Sequence, residues 1–428
     1  MRSRRVLTEN ILALGVLQML NYAAPLITVP YLVRVLGPAH FGLVSFAQAV
    51  VLYFDFATDY GFNFSATRAI AACGEDVASV SRIFWATFCA KCMLMCGNGL
   101  LFALLVFLVP QLRQAAALLT VTFLYVFGTT MFPLWLFQGL ERLKLAAALV
   151  GTARLFTVPA LFLFVRGPGD YVTAGAIQGS VEAVAAVLAL PWLVKRARLI
   201  WRKPSFSDVL ASLKQGWPLF LSGAALFVST SNATVILGFT AGQTQVGYFS
   251  AADKLIKAAV AALNPIGQAL YPHLTGIKIR SKDRALRLIR KSFVAMGALA
   301  LLISLVTFLF ARPICTIVLG HTFAQSVSVL EWLAPLPFLL GLTNVLGTQT
   351  MLVFEMDRVF TRIMLRNVVV ALPVMILASM FWGAIGAAAA TSLMAALLVF
   401  AMAATLHAQD LPIWRNLFSK ALPVTGVH

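Results

Sequence analysis

Acidic residues are scarce in this chain. Fifteen Asp and Glu stand against 33 Lys and Arg, and charged residues of both signs make up only 11% of the 428. A soluble domain carries about 25% charged residues and about half apolar ones. Here 61% are apolar. An ordinary water-facing surface is excluded, and an integral membrane protein is indicated. Cysteine is also sparse: Cys73, Cys89, Cys92, Cys96 and Cys315. Three have the spacing C-x-x-C-x-x-x-C, but no His or carboxylate stands near them in the apolar run. They read as small packing hydrophobes, so neither a metal site nor a disulfide framework is expected. There is no glycine-rich phosphate loop, no H-E-x-x-H and no nucleophile elbow.

Long apolar runs are what the chain has in abundance. A span needs about 20 apolar residues. Twelve stretches qualify: 11–33, 41–62, 84–109, 115–137, 146–165, 172–194, 216–238, 246–271, 293–311, 327–353, 363–382 and 384–406, numbered here spans 1 to 12. The expected fold is an all-α polytopic membrane protein. Spans 11 and 12 are separated by little more than Gly383, which predicts a tight turn. The opening "MRSRR" leads into an apolar run without a small-residue cleavage site, so span 1 is expected to be retained.

The basic residues fall on one side. With a cytoplasmic N-terminus, the outer loops receive only Arg34, Arg113, Arg166 and Arg312. Lys91, Arg154, Lys254 and Lys257 lie in or at the edges of spans, and every other Lys and Arg falls inside. Both termini are therefore expected in the cytoplasm. This bias accounts for most of the +18 net charge without a nucleic-acid partner. The basic loop 278–291 is expected to lie against anionic headgroups. The outer loops are too short for an extramembrane catalytic segment, so an enzyme is not expected.

Two echoes divide the chain. "GPAHFGLVSFAQ" at Gly37 matches "GQTQVGYFSAAD" at Gly242 in two glycines and a serine, and "LFQGLER" (136–142) resembles "LVFEMDR" (352–358). The second match aligns Glu141 and Arg142 with Asp357 and Arg358. These echoes predict two parallel six-helix lobes, 1–194 and 215–428, joined by a basic cytoplasmic linker, 195–214.

The first echo opens a polar stripe. On a helical wheel, Ser250, Asp253, Lys254, Lys257, Asn264 and Gln268 share one face of span 8, about 100° wide. Ser45, Gln48, Asp55, Asp59 and Asn63 do the same in span 2. Charges inside a membrane cost about 2.5–3.5 kcal/mol each at the centre and face protein or a wet cavity. Two readings stay open: a water-filled functional cavity, or fixed ion pairs such as Asp253 with Lys257. Asn21 and Thr28 of span 1, Arg154, Glu182 and Glu331 are further candidates for the cavity wall. Arg154 and Lys91 are also placed to snorkel to the inner surface. Pro25, Pro30 and Pro265 are expected to bend spans 1 and 8.

Residues 25–71, "PLITVPYLVRVLGPAHFGLVSFAQAVVLYFDFATDYGFNFSATRAIA", closely resemble the N-terminal signature of polysaccharide-biosynthesis flippases, the Wzx-type O-antigen translocases of the MOP exporter superfamily. The distinctive pieces are "VPYL-RVLGP--FG" and "TDYGFN-SATR-IA". The twelve spans and the "ADK" of span 8 extend the resemblance over most of the chain. It implies two lobes around a largely cationic cavity in a bacterial inner membrane. The implied cargo is an oligosaccharide on undecaprenyl diphosphate, moved from the cytoplasmic to the periplasmic leaflet. Membrane lipids, a polysaccharide polymerase and a chain-length regulator are the implied partners, with no cofactor. Under that reading the diphosphate would meet Lys254, Lys257, Arg154 and Arg34. Sugars would meet Asn21, Gln48, Asn63, Asn264 and Gln268. Asp55, Asp59, Asp253 or Glu182 could bind a coupling ion. A lateral opening for the lipid tail is expected between spans 1 and 8. The alternative is a cation-coupled drug antiporter like the MATE exporters, which would use acids without lysines.

Overall fold

A computed structural model describes residues 2–74, 76–195, 199–261, 263–409 and 411. Side chains are described from Leu26 onward, except at 195, 225, 226, 229, 230, 265, 268, 269 and 272. Among the described residues there is no strand, only helices and the turns between them. Lipid offers the backbone no hydrogen-bond partners, so each crossing must satisfy its own amides.

Among the described residues, eight helices are long and apolar enough to cross a membrane. Two of these hold sharp reversals. Gly37 (φ 69°) separates spans 1 and 2, and Gly383 (φ 56°) separates spans 11 and 12 within Asp357–Ala408. The tight turn expected at Gly383 is thus present, at a residue with no Cβ to oppose a positive φ. Spans 7 and 8 are helical but are not among the eight, and the charges of span 8 reduce its apolarity. Span 8 is also not one rod. The described helices Gln243–Ala261 and Asn264–Arg280 are interrupted by a turn at Leu263, with Pro265 in the first turn of the second. Span 2 likewise ends at Asp59. Tyr60 and Gly61 follow with positive φ, and a helix Phe62–Cys73 carries the "FNFSATRAIA" segment. The single continuous wheel expected for each stripe is therefore broken near its inner end.

The two halves meet at the Gly37 and Gly242 ends of spans 2 and 8 as a reciprocal pair. A Cβ built on Gly42 would lie 1.8 Å from the Gln243 carbonyl oxygen, and one on Gly247 would lie 2.0 Å from that of Pro38. Gln243 is the repeat counterpart of Pro38, and Gly247 that of Gly42. Each half thus presses the same backbone site onto the other, as a two-fold contact requires. Only glycine permits this approach. Around it, Val33, Leu36, Phe41 and Phe46 share one buried core with Val246, Phe249, Ala252 and Leu330. Ser45 and its counterpart Ser250 are buried there without a hydrogen-bond partner among the described residues. They act as small packing residues in the seam.

An aromatic ladder closes one side of the seam. Span 2 sets Phe46, Tyr53, Phe56 and Tyr60 against Phe239, Phe227, Phe220 and Trp217 of span 7, with ring centroids 4.7–6.1 Å apart. Each such pair adds about 0.5–1.5 kcal/mol beyond area burial.

The second echo appears in the backbone, shifted by two residues. Glu141 (φ 55°) and Glu355 (φ 61°) each end a span in a left-handed cap. The next amides, of Arg142 and Met356, donate five residues back to Phe137 and Met351, as in a Schellman motif. Glu141 therefore corresponds to Glu355, not to Asp357 as the letters alone align it. Spans 4 and 10 are irregular in matching places. Span 4 breaks at Phe132–Pro133, and span 10 winds into a π-helix over Asn344–Leu352.

Candidate functional site

The polar stripes divide between two regions. In the first half, Thr28, Gln48, Tyr125, Arg154, Gln178 and Glu182 line a cavity of about 460 Å³. The Gln48 amide donates to Gln178 Oε1 at 3.0 Å. Arg154 and Glu182 put opposite charges on the same cavity wall, so Arg154 does not snorkel to the inner surface as the sequence allows. Gly128 brings spans 4 and 6 together here: a Cβ on it would lie 2.4 Å from the Ala183 nitrogen.

Next to this cavity runs a charged chain. Lys91 is only 3% exposed. Its ammonium reaches Asp59 at 3.2 Å and donates to the Thr129 carbonyl at 3.1 Å. Thr129 Oγ1 donates to Asp55 at 2.6 Å, and Asn63 Nδ2 donates to Asp59 at 2.7 Å. Lys91 therefore does not snorkel either. It is the partner that the Asp59 carboxylate needs inside the lobe. A buried pair of this kind costs about 3–5 kcal/mol to break from one side.

In the second half, Asp253 and Lys257 form an i,i+4 pair at 2.7 Å. The side chain of Lys257 is 63% exposed, and Lys257 is the exposed residue on an otherwise covered stretch, 246–261. The ammonium thus keeps donors free for a further partner. Lys254 is engaged differently. Its ammonium sits 5.0 Å from the centre of the Phe41 ring in the other half, a cation–π contact across the seam. Arg34, at the outer end of span 1, donates to the Ile317 carbonyl of the second half.

The four cations that the diphosphate would meet are engaged in different ways. Arg154 lies in the first-half cavity. Lys257 stands exposed on span 8, while Lys254 and Arg34 tie the halves together near the outer side. Asn63 is bound to Asp59 and Asn264 is half-buried and partnered. The side chains of Asn21 and Gln268 lie outside the described residues. Glu331 does not line the cavity.

Sequence reading missed some of the site. Gln178 stands four residues before Glu182 on the same helical face, a signal that was legible. Tyr125 gave no such signal. A buried network in span 10 was also missed: Ser292 Oγ donates to Gln349 Oε1 at 2.5 Å, and Gln349 Nε2 donates to Asn344 Oδ1 at 3.0 Å. Gly267, just past the break in span 8, packs on the Asn344 side chain, which a Cβ would meet at 2.7 Å. Among the described residues, no cluster of His, Cys, Asp and Glu is arranged to hold a metal ion.

Comparisons with known proteins agree with this architecture. Residues 7–278 match the family described as "Polysaccharide biosynthesis protein". The chain is 35% identical over 359 residues to the "Putative O-antigen transporter" of Escherichia coli (strain K12), covering 84% of this chain and 86% of that protein. A protein of the same name from Shigella dysenteriae is 29% identical over 367 residues, covering 85% and 91%. Among solved structures, the lipid II flippase MurJ in an inward closed conformation superposes with a TM-score of 0.69 at 12% identity, covering 94% of this chain and 87% of that one. An inward-facing MATE multidrug transporter of the MOP superfamily gives 0.64 at 14%, covering 93% and 98%. At such identities the structural likeness speaks for the fold alone, an all-helical, multi-pass fold in two lobes. By the extent of the sequence match, the chain belongs to the polysaccharide biosynthesis protein family.

Proposed function

We propose that this protein is a flippase for an oligosaccharide carried on a polyprenyl diphosphate, undecaprenyl diphosphate in a bacterial inner membrane. It acts as a transporter and not as an enzyme, moving its cargo from the cytoplasmic to the periplasmic leaflet by alternating access. The lobes 1–194 and 215–428 rock about the linker 195–214, with both termini cytoplasmic. The observation that carries the reading is Lys257: an exposed ammonium on a helix within the membrane, paired on one side and open on the other. The relatives named as O-antigen transporters supply the cargo class.

The mechanism follows from charge. A bare diphosphate cannot enter hydrocarbon. Lys257 meets it first, and Arg154 on the facing lobe is its second contact. Lysine is a compact, strongly hydrated cation, suited to a hold that must release. Lys254 and Arg34 hold the outer ends together, and their contacts with Phe41 and Ile317 must break for outward opening. The freed cations then become available to the anion on its way out. Gln48, Asn63 and Asn264, with Asn21 and Gln268, meet the sugars. The lipid tail stays in the bilayer. Because the aromatic ladder covers the span 2–span 7 side, the lateral opening belongs on the side of spans 1 and 8.

An elementary charge crossing the membrane is worth about 2.3 kcal/mol per 100 mV. An inside-negative potential drives the anion outward and draws the emptied cationic cavity back. Asp55, Asp59, Asp253 and Glu182 are the groups for a coupling ion, and a polymerase and a chain-length regulator take the product. The test is flipping of a fluorescent polyprenyl-diphosphate oligosaccharide by the purified protein in vesicles. Export of cationic drugs with no lipid flipping would instead establish the MATE-like antiporter.

A further inference from the structure

The long helix Asp357–Ala408 begins with three arginines one turn apart, Arg358, Arg362 and Arg366. All three are exposed and none has an ion-pair partner among the described residues. They line an open groove of about 860 Å³ with Leu365 and Val369, and Asp357 is its one acid. The groove does not include Lys257 or the cavity around Arg154.

Its depth can be worked out. A helix rises about 1.5 Å per residue, so Arg358, Arg362 and Arg366 lie about 38, 32 and 26 Å from the Gly383 turn. The hydrocarbon core is about 30 Å thick. With Gly383 at the far boundary, the ladder straddles the near one. Arg358 is among headgroups, Arg362 is at the interface, and Arg366 is just inside. Leu365 and Val369 continue the exposed surface into the acyl region, 47% and 70% exposed. Arginines at a helix start also oppose the helix dipole, so an anion bound there relieves two unfavourable terms at once. The guanidinium fork matches phosphate oxygens in pairs.

We infer that this ladder is a binding site for the phosphate headgroup of an anionic bilayer phospholipid, whose acyl chains run over Leu365 and Val369. The inference rests on the orientation proposed above, with the basic loops on the anionic cytoplasmic side, and not on the cargo. The occupant is a resident lipid rather than the transported polyprenyl diphosphate, because the groove is lined by this one helix and includes none of the polar residues of the stripe on span 8.

The test is native mass spectrometry of the full chain in detergent, titrated with phosphatidylglycerol or phosphatidylcholine. The wild type is expected to prefer phosphatidylglycerol, more weakly as salt rises. Each basic residue near an anionic surface is worth about fivefold, so Arg362→Ala with Arg366→Ala should weaken binding about 30-fold. Lysine at both positions should recover part of the loss. Arg284→Ala with Arg287→Ala, in the neighbouring basic segment that also faces headgroups, should weaken binding clearly less than the ladder pair does. If the double alanine variant is not monodisperse, single Arg→Gln variants carry the same test. Equal phosphatidylglycerol affinity in the variants would overturn the inference, as would an equal loss from the Arg284 and Arg287 pair. Displacement by equimolar undecaprenyl phosphate would also overturn it, by assigning the groove to the carrier lipid.

Discussion

Lys257→Ala separates an anion-gripping lysine from a structural one. The pair with Asp253 is 2.7 Å long, but the lysine side chain is 63% exposed. Exposed i,i+4 pairs contribute only about 0.3–0.5 kcal/mol, but the Asp253 side chain is 16% exposed. Lys257→Ala should therefore also lower thermal stability, by less than the roughly 3–5 kcal/mol of a fully buried pair, and adding Asp253→Asn should recover that loss. A hydrogen bond to a charged group is worth about 1.5–3 kcal/mol. If Lys257 makes that bond to the diphosphate while the cargo crosses, transport should fall about 10- to 150-fold. Lys257→Arg should keep much of the rate. Asp253→Asn supplies the complementary arm. It frees the ammonium, so transport should survive unless the ion pair itself is the working unit. The assay is flipping in vesicles, backed by surface-glycan display in a strain lacking the transporter. Full transport by Lys257→Ala would refute the reasoning. Equal, non-additive losses in Lys257→Ala, Asp253→Asn and the double variant would reduce the pair to a structural clamp.

Four further outcomes are expected. Lys91→Met leaves the Asp59 carboxylate unpaired inside the lobe and should cost about 3–5 kcal/mol, read as lost thermal stability; adding Asp59→Asn should recover most of it. Gly42→Ala and Gly247→Ala place a methyl against a facing carbonyl at 1.8 and 2.0 Å; each should destabilise the outer seam by about 1–3 kcal/mol, and their effects should be non-additive because they press on one contact. Lys254→Ala removes the contact with Phe41 across the seam, so it should raise the labelling of a cysteine placed at that seam, whereas Lys257→Ala should not. The Lys278 ammonium, 2.7 Å from Glu355, holds the Glu355 carboxyl below the ordinary glutamate range. A depressed carboxyl stabilises above its unfolded pKa, so this tether should be intact at neutral pH and lost as pH falls through the depressed value. Distances between labels on the two loops should report it, and Glu355→Gln should abolish the pH dependence.

Most of the architecture was legible because membrane folding obeys one-dimensional rules. Runs of apolar residues at about 20-residue length and glycines at 37, 242 and 383 act locally. So did the repeat, since matching glycines need matching turns. The family signature in residues 25–71 named the class.

Partnerships were not legible, because they form between helices distant in sequence. Lys91 and Asp59 are 32 residues apart, and Arg34 meets Ile317 from 283 residues away. A helical wheel assigns a face but not what the face meets. It also assumes an unbroken helix, and the interruptions at Tyr60–Gly61 and after Ala261 change its phase. The sequence by itself determined a polytopic helical membrane protein of the polysaccharide biosynthesis family, with a polar stripe in each half. Only the tertiary structure decided that the acids of one stripe are tied to Lys91 and Thr129. It also decided that Lys254 and Arg34 fasten the outer seam, and that Lys257 keeps an open charge. The physical reason is that a charge in a membrane must be compensated, and which group compensates it is fixed by packing.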